Sequence, residues 1–171
     1  MNAFLTQSFT PKKLNGLALK NRFIKAGTFE GMSPQGAVSS ALCNFHGRIA
    51  DGGVAMTTIG YCAIENDGRL HENMLYMHEG IRNDLSTLIN TLHSKDCKVS
   101  GQMGYGGGFS KNRHRQRKRP LGPSFGINML GVAQGMFFCD AMTLQDIDRL
   151  VKRYGEAPAF MQSVGFDCLE I

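Results

Sequence analysis

The fold class is decided by residues 39–59, SSALCNFHGRIADGGVAMTTI. The first half carries one apolar stripe at helical spacing, which predicts an amphipathic helix. The members of this stripe are Leu42, Phe45, His46, Ile49 and Ala50. The glycine pair after Asp51 ends such a helix, because glycine adopts the conformations that follow a last helical turn. The apolar, partly β-branched run over 54–59 then predicts a buried strand.

The same alternation of strand and helix extends in both directions from this stretch. The predicted elements are a hairpin turning at Asn15-Gly16, strands over 23–28, 54–59, 98–103 and 168–171, and helices beginning near 39, 81 and 143. Asn-Gly favours the positive φ values of a tight hairpin turn. Thr143 is a suitable N-cap for the third helix, and Gly165 provides the turn into the fourth strand.

Four strands that alternate with three helices predict parallel βα units. A closed eight-stranded barrel typically needs about 250 residues, and this chain has 171. We therefore expect an α/β fold that corresponds to about half of a (β/α)₈ TIM barrel, in one domain over 1–171 truncated at the fourth strand. Such a half-barrel would leave strand edges unpaired, so we expect self-association or pairing with a complementing C-terminal half.

Two segments do not follow the simple βα pattern. Residues 104–142 have no sustained period, which is typical of a functional or disordered loop. The third helix contains Gly155 and Pro158, and a proline inside a helix costs about 3 kcal/mol. The sequence therefore predicts that this helix is interrupted.

Composition narrows the class of protein. The five cysteines are widely spaced without a CxxC pair, so we expect reduced thiols rather than disulfides or a zinc site. The five histidines also lack metal-ligand spacing, and we predict no metal site. No run approaches 18 apolar residues and no secretory signal is recognisable, so we expect a soluble cytoplasmic protein with no membrane partner.

The positive charge is concentrated in one segment. Six of the 19 lysines and arginines lie within residues 111–119, while the formal net charge of the whole chain is +5. Such a run is either a solvated loop or a patch that binds nucleic acid. No interleaved aromatic residues are available for base stacking, which favours the loop. A basic nucleic-acid-binding protein is kept as an alternative.

Several segments, in this order and spacing, resemble the old yellow enzyme family of NAD(P)H:flavin oxidoreductases. They are FTP at 9–11 with LKNR at 19–22, AGT at 26–28, IADGGV at 49–54, DGR at 67–69, GQMG at 101–104, PLGPS at 120–124, AMT at 141–143 and GFDCLEI at 165–171. The resemblance covers nearly the whole chain but only the N-terminal half of the family's barrel. It implies FMN bound at the carboxyl ends of the strands. It also implies hydride transfer from NADH or NADPH through the flavin to an activated alkene or related small-molecule acceptor.

The resemblance also implies which residues contact the flavin. Ala26, Gly27 and Thr28 match the backbone against the flavin ring, and Tyr61 follows Gly60 at a flavin-facing position. Gln102 matches the amide that bonds the pyrimidine edge, since a carboxamide offers a donor and an acceptor together. Structural alternatives stay open: Gln102 could satisfy a loop backbone, Tyr61 could be core, and Gly27 could serve a turn.

The chain also departs from the family. The acceptor-binding pair and the proton donor of the family correspond to positions beyond Ile171, so the catalytic residues stay unknown. The family often has His where Tyr105 stands, and another residue at Gly108. An inactive half-barrel without turnover is therefore a second hypothesis for the function.

Overall fold

A computed structural model describes residues 3–171. The chain contains four α-helices and ten short strands in the described part: α1 (Ala3–Ser8), β1 (Lys12–Leu14), β2 (Leu17–Leu19), β3 (Ile24–Lys25), α2 (Ser40–Asp51), β4 (Met56–Ala63), β5 (Leu75–Tyr76), α3 (Arg82–His93), β6 (Lys98–Gly104), β7 (Leu121–Gly122), β8 (Gly126–Ile127), β9 (Phe138–Ala141), α4 (Leu144–Val164) and β10 (Cys168–Glu170). No helix within these residues is long and apolar enough to cross a bilayer.

The main sheet is parallel and has the order β10-β6-β4-β3. The short strand β5 pairs with the carboxyl end of β4. Helices α2, α3 and α4 connect successive strands of this sheet. The four predicted parallel strands are present, although the first is shorter than expected and the second runs later than expected. The sheet does not close, so β3 and β10 are its two edges. The fold is the predicted half-barrel.

The N-terminal hairpin forms as predicted. Strands β1 and β2 pair antiparallel, and the two residues between them, Asn15 and Gly16, have φ values of 43° and 89°. Both values lie in the left-handed region, which Asn and Gly tolerate better than other residues. This hairpin precedes the first parallel strand.

The main core lies on the helix-covered face of the sheet. Leu85, Ile89 and Leu92 of α3 are fully buried against β4, β6 and α4. Gly101 of β6 lies under α4, and a Cβ atom there would come within 2.1 Å of Met161 Cε. A glycine at this position therefore permits close approach of helix and strand.

Helix α4 is continuous, so the predicted interruption at Gly155 and Pro158 is wrong. Two features outweigh the free-energy cost of Gly155 and Pro158 inside the helix. At its start, Thr143 and Asp146 form a reciprocal capping box. Towards its end, side chains such as Met161 are buried in the core, and tertiary packing overrides local propensity. The helix ends at Gly165, whose φ is 109°.

The segment 104–142 is ordered, which excludes the disordered alternative. Strands β7, β9 and β8 form a small sheet in that order. Buried polar side chains tie the segment to the 66–72 loop: Arg69 O accepts from Ser110 Oγ at 2.6 Å, and Asn66 O accepts from Asn112 Nδ2 at 3.2 Å. Hydrogen bonds of this kind leave no hydrophobic period, which explains why the sequence pattern did not predict the order.

All five cysteines are free, and Cys62, Cys97 and Cys139 are buried. Burial raises the pKa of the Cys62 thiol, and the nearby Glu30 carboxylate acts in the same direction. A neutral thiol is a poor nucleophile and a poor metal ligand. Among residues 3–171, no group of three or more His, Cys, Asp or Glu side chains could hold a metal ion.

Candidate functional site

The carboxyl ends of the parallel strands meet around Gln102. In the sheet register, Gln102 of β6 lies opposite Gly60 of β4 on one side and Glu170 of β10 on the other. The carboxyl end of a parallel sheet is where α/β proteins bind ligands. Gln102 therefore occupies the centre of the edge at which a site is expected.

Two glycines make room for the Gln102 amide. A Cβ atom on Gly27 would lie 2.5 Å from Gln102 Oε1 and 2.9 Å from Gln102 Nε2. A Cβ atom on Gly60 would lie 3.1 Å from the same Oε1 and 3.1 Å from Thr28 O. The amide thus packs against the backbone just after β3 and within β4, where any residue larger than glycine would displace it.

The Gln102 amide is only partly hydrogen-bonded. Its Nε2 donates to Glu170 Oε1 at 2.6 Å, while its Oε1 is buried and has no hydrogen-bond partner. A buried acceptor without a partner is uncommon in folded proteins. One amide N–H and the carbonyl oxygen are left for another molecule, and this donor–acceptor pair fits the imide edge of a flavin.

The other predicted residues surround this centre. Ala26 and Thr28 are exposed and flank Gly27, so the whole predicted 26–28 segment borders the amide. Tyr61 is the extra residue of a β-bulge, because the register with β6 shifts between Gly60 and Cys62. The Tyr61 ring lies beside Gly104, where a Cβ atom would be 4.0 Å from Tyr61 Cδ1.

A buried polar cluster under the strand ends was not predicted. Glu30 is buried and pairs with Lys25 Nζ at 2.5 Å, and its carboxylate also accepts from Gly60 N at 3.3 Å. Lys25 Nζ donates in addition to Thr58 O at 2.8 Å. These bonds join the end of β3 to β4. They therefore fix the distance between Gly27 and Gly60, and the position of the Gln102 amide depends on this distance.

His46 of α2 completes the cluster. It is fully buried, its Nδ1 lies 2.8 Å from Thr57 Oγ1, and its Nε2 lies 3.5 Å from Glu30 Oε1. The sequence predicted the buried helix face for His46 but not its partners. The available signal was the pair of opposite charges at Lys25 and Glu30, on either side of the 26–28 segment.

The two positions that depart from the family do not join the Gln102 site. The Tyr105 ring packs on Gly68, where a Cβ atom would lie 2.7 Å away. Burial, together with the Glu65 carboxylate, raises the pKa of Tyr105 to about 12, so its phenol is neutral. Gly108 packs against Cys139, and a Cβ atom there would lie 2.9 Å from the sulfur. Both positions belong to the packing of the 104–142 segment.

The basic segment 111–119 is an anchored surface loop. Arg117 pairs with Asp146 at 2.5 Å and Arg119 with Asp140 at 3.1 Å. The Asp67 carboxylate accepts from the backbone N–H groups of Gln116 at 2.6 Å and Arg117 at 3.2 Å. Carboxylates therefore hold this surface loop in place and offset part of its positive charge.

Comparison with known proteins decides the family. The family model described as "NADH:flavin oxidoreductase / NADH oxidase family" matches residues 7–171, which is nearly the whole chain. The chain belongs to this NADH:flavin oxidoreductase family. The predicted resemblance is confirmed.

The NADH:flavin oxidoreductase relatives include one at substantial identity. The 4,4'-dithiodibutanoate disulfide reductase of Rhodococcus erythropolis is 35% identical over 165 residues, which are 95% of this chain and 39% of that protein. Two solved structures share the fold at 18% identity and cover 95% of this chain. They are morphinone reductase in complex with tetrahydroNAD, with a TM-score of 0.82 over 48% of its chain, and old yellow enzyme from Pichia sp. AKU4542, with a TM-score of 0.81 over 45%.

This NADH:flavin oxidoreductase chain thus spans about two fifths to one half of the length of these relatives. The structural likeness at 18% identity bears on the fold and confirms the predicted N-terminal half of a TIM barrel. The family assignment also agrees with the predicted class of enzyme, an oxidoreductase that uses flavin and nicotinamide.

Proposed function

We propose that this chain provides one side of the FMN site of an oxidoreductase that moves hydride from NADH or NADPH to a small-molecule acceptor. The observation that carries the proposal is the Gln102 amide, with a buried, unpaired Oε1 seated between Gly27 and Gly60. A flavin pyrimidine presents an N–H between two carbonyls, which is the complement of a carboxamide. Bound FMN would supply the hydride-accepting and hydride-donating chemistry of the family.

The residues of the chain would bind and orient that group. Gln102 would bond the pyrimidine edge, while the backbone of 26–28 and the Tyr61 ring would border the ring system. The Lys25–Glu30 ion pair would act from below by holding the two strand ends at a fixed separation. Because these groups lie on or next to hydrogen-bonded strands of the main sheet, the site would be preformed rather than assembled on binding.

For the hydride acceptor, we propose a chemical class rather than a single compound. The family resemblance favours an activated alkene or a related electrophile. The relative from Rhodococcus erythropolis is a disulfide reductase by name, and an organic disulfide is therefore the second acceptor class to test.

A second candidate is a half-barrel that associates without turnover. It is favoured by the apolar side chains at the open β3 edge, where Phe23 and Ile24 are 44% and 43% exposed. Exposed strand edges are templates for pairing with another chain. In this case the partner would be a second copy or a complementing C-terminal half.

The test is an FMN titration of the 171-residue chain, followed by flavin fluorescence. We expect binding that Gln102→Ala weakens by about tenfold, since a hydrogen-bonded buried polar group is worth about 1–2 kcal/mol. The matched control is Gln162→Ala, which changes an exposed residue of α4 and should bind like wild type. Equal affinity of Gln102→Ala and wild type would contradict the proposal.

Light scattering and NADH or NADPH oxidation then separate the two candidates. Flavin-dependent oxidation, with an alkene or a disulfide as acceptor, supports the enzyme. A flavin-free dimer without oxidation supports the half-barrel.

A further inference from the structure

The orientation of the Gln102 amide is set by one neighbour. Strands β6 and β10 are parallel neighbours, and their register places Glu170 directly opposite Gln102. Gln102 Nε2 lies 2.6 Å from Glu170 Oε1, a short distance typical of a hydrogen bond to a charged group. The two side chains therefore form a cross-strand pair at the edge where the site lies.

The chemistry of a carboxylate permits only one orientation of this amide. An ionised carboxylate accepts hydrogen bonds and cannot donate them, whereas the two ends of a carboxamide differ in this respect. The NH₂ group must therefore face Glu170, and the carbonyl oxygen must face the two glycines. Gly27 and Gly60 have no side chains that could select one end of the amide over the other.

We propose that Glu170 is a positioning residue that fixes which atoms of Gln102 are presented to the ligand. With Glu170 in place, Oε1 and the second N–H of Nε2 are presented in a fixed order. Without Glu170 the amide is free to turn over, and an N–H would then meet the imide N–H of a flavin. This inference rests on the proposed function for the identity of the ligand, but the contact itself does not depend on any ligand.

Glu170 suits a positioning role because little else depends on it. Its side chain is exposed at the end of β10, outside the apolar core. Replacing it should therefore leave the fold intact and release only the amide. Removal of a buried core residue, in contrast, would change binding through unfolding.

The first arm of the test needs no flavin. In the ¹⁵N-labelled chain, the side-chain amide signals of Gln102 are assigned by their loss in Gln102→Ala. We expect Glu170→Ala to move these signals and to bring its two proton shifts closer together, because one N–H loses a charged acceptor. Glu170→Gln, which can still accept one bond, should cause a smaller change. Glu156→Ala, on the outer side of α4, should cause none. Unchanged Gln102 signals in Glu170→Ala would overturn the proposal.

The second arm compares FMN with 3-methyl-FMN, which lacks the imide N–H. We expect wild type to favour FMN by about tenfold, the equivalent of one hydrogen bond to a buried acceptor. This preference should fall to about twofold in Glu170→Ala and stay unchanged in Glu156→Ala. An undiminished preference in Glu170→Ala would overturn the positioning role. Failure of wild type to bind FMN would overturn the proposed function, while the first arm would still decide the contact between Glu170 and Gln102.

Discussion

The helix-covered core and the junction between the 66–72 loop and the 104–142 segment both contain fully buried side chains, but these are stabilised by different means. In the core, Leu85 and Leu92 are completely buried among other apolar side chains. Around the segment, Asn112 and Asn128 are also completely buried, and Arg69 is 2% exposed. The first region gains stability from apolar area removed from water. The second gains it only while each buried polar group keeps its partner.

The largest expected effect comes from Arg69, which lies where the 66–72 loop meets the 104–142 segment. Its guanidinium donates to Asn66 Oδ1 at 3.0 Å and to Glu72 O at 2.8 Å. We expect Arg69→Met to lower the free energy of unfolding by about 3–5 kcal/mol, because the stem volume is kept while buried acceptors lose their donors. Urea unfolding measures this loss. A loss below about 1 kcal/mol would mean that water replaces the donors at little cost.

A core substitution gives the other side of the comparison. We expect Leu92→Ala to lower the free energy of unfolding by about 3 kcal/mol, through lost apolar contact and the cavity left behind. The control is Leu144→Ala, because Leu144 is 82% exposed and should lose almost nothing.

Hydrogen exchange of the two destabilised variants sharpens the contrast. Arg69→Met should increase exchange mainly in the 66–72 and 104–142 segments, whereas Leu92→Ala should increase it throughout the sheet. The same exchange pattern in both variants would mean that the two regions unfold as one unit.

This contrast also explains how much of the fold could be predicted. Helices α2 and α3 follow from apolar residues at helical spacing, since burial of an apolar face leaves a period in the sequence. The order of 104–142 could not be predicted, because Ser110 and Asn112 act through hydrogen bonds to backbone oxygens of Arg69 and Asn66, which are distant in sequence. Such bonds have no spacing rule.

In the candidate site, too, some residues could be predicted from the sequence and others could not. Gln102 and Gly27 were identified from the resemblance, and the structure brings them into contact. Glu170 and Glu30 were not identified, although both hold parts of the site in place. Their roles depend on strand register and on a bend after β3, which local sequence does not specify.

Helix α4 offers a prediction of opposite sign. Pro158 has no N–H to donate to the preceding turn, yet the helix continues through it. We expect Pro158→Ala to stabilise the chain by about 2 kcal/mol, because the packing that now overrides the proline would be kept. The control is Gly155→Ala, where a Cβ atom would meet nothing within 4 Å, with an expected gain of about 1 kcal/mol. A lower melting temperature for Pro158→Ala would show that the proline ring itself fills space in the core.

The smallest effect concerns a polar contact inside the helix-covered region. Asp167 Oδ2 lies 2.7 Å from His93 Nε2 and accepts from Val99 N at 2.8 Å, and Lys98 Nζ lies 3.2 Å from Oδ1. Burial alone would raise the pKa of Asp167, but the bonds from Val99, His93 and Lys98 outweigh it and hold this pKa below its usual value. The Asp167 carboxylate therefore links α3, β6 and the turn before β10.

The sign of the pH dependence follows from that lowered pKa. An Asp whose pKa is lower in the folded state stabilises the fold at every pH above its unfolded value of about 3.9. This contribution is lost as the pH falls through the folded pKa, because the unfolded chain then no longer binds more protons than the folded chain. We expect Asp167→Asn to be about 1 kcal/mol less stable than wild type at pH 7, with the difference shrinking below about pH 4. Asp148→Asn, on the exposed face of α4, should match wild type across the range. A difference for Asp167→Asn that stayed constant down to pH 3 would assign the effect to packing rather than to the charge of this carboxylate.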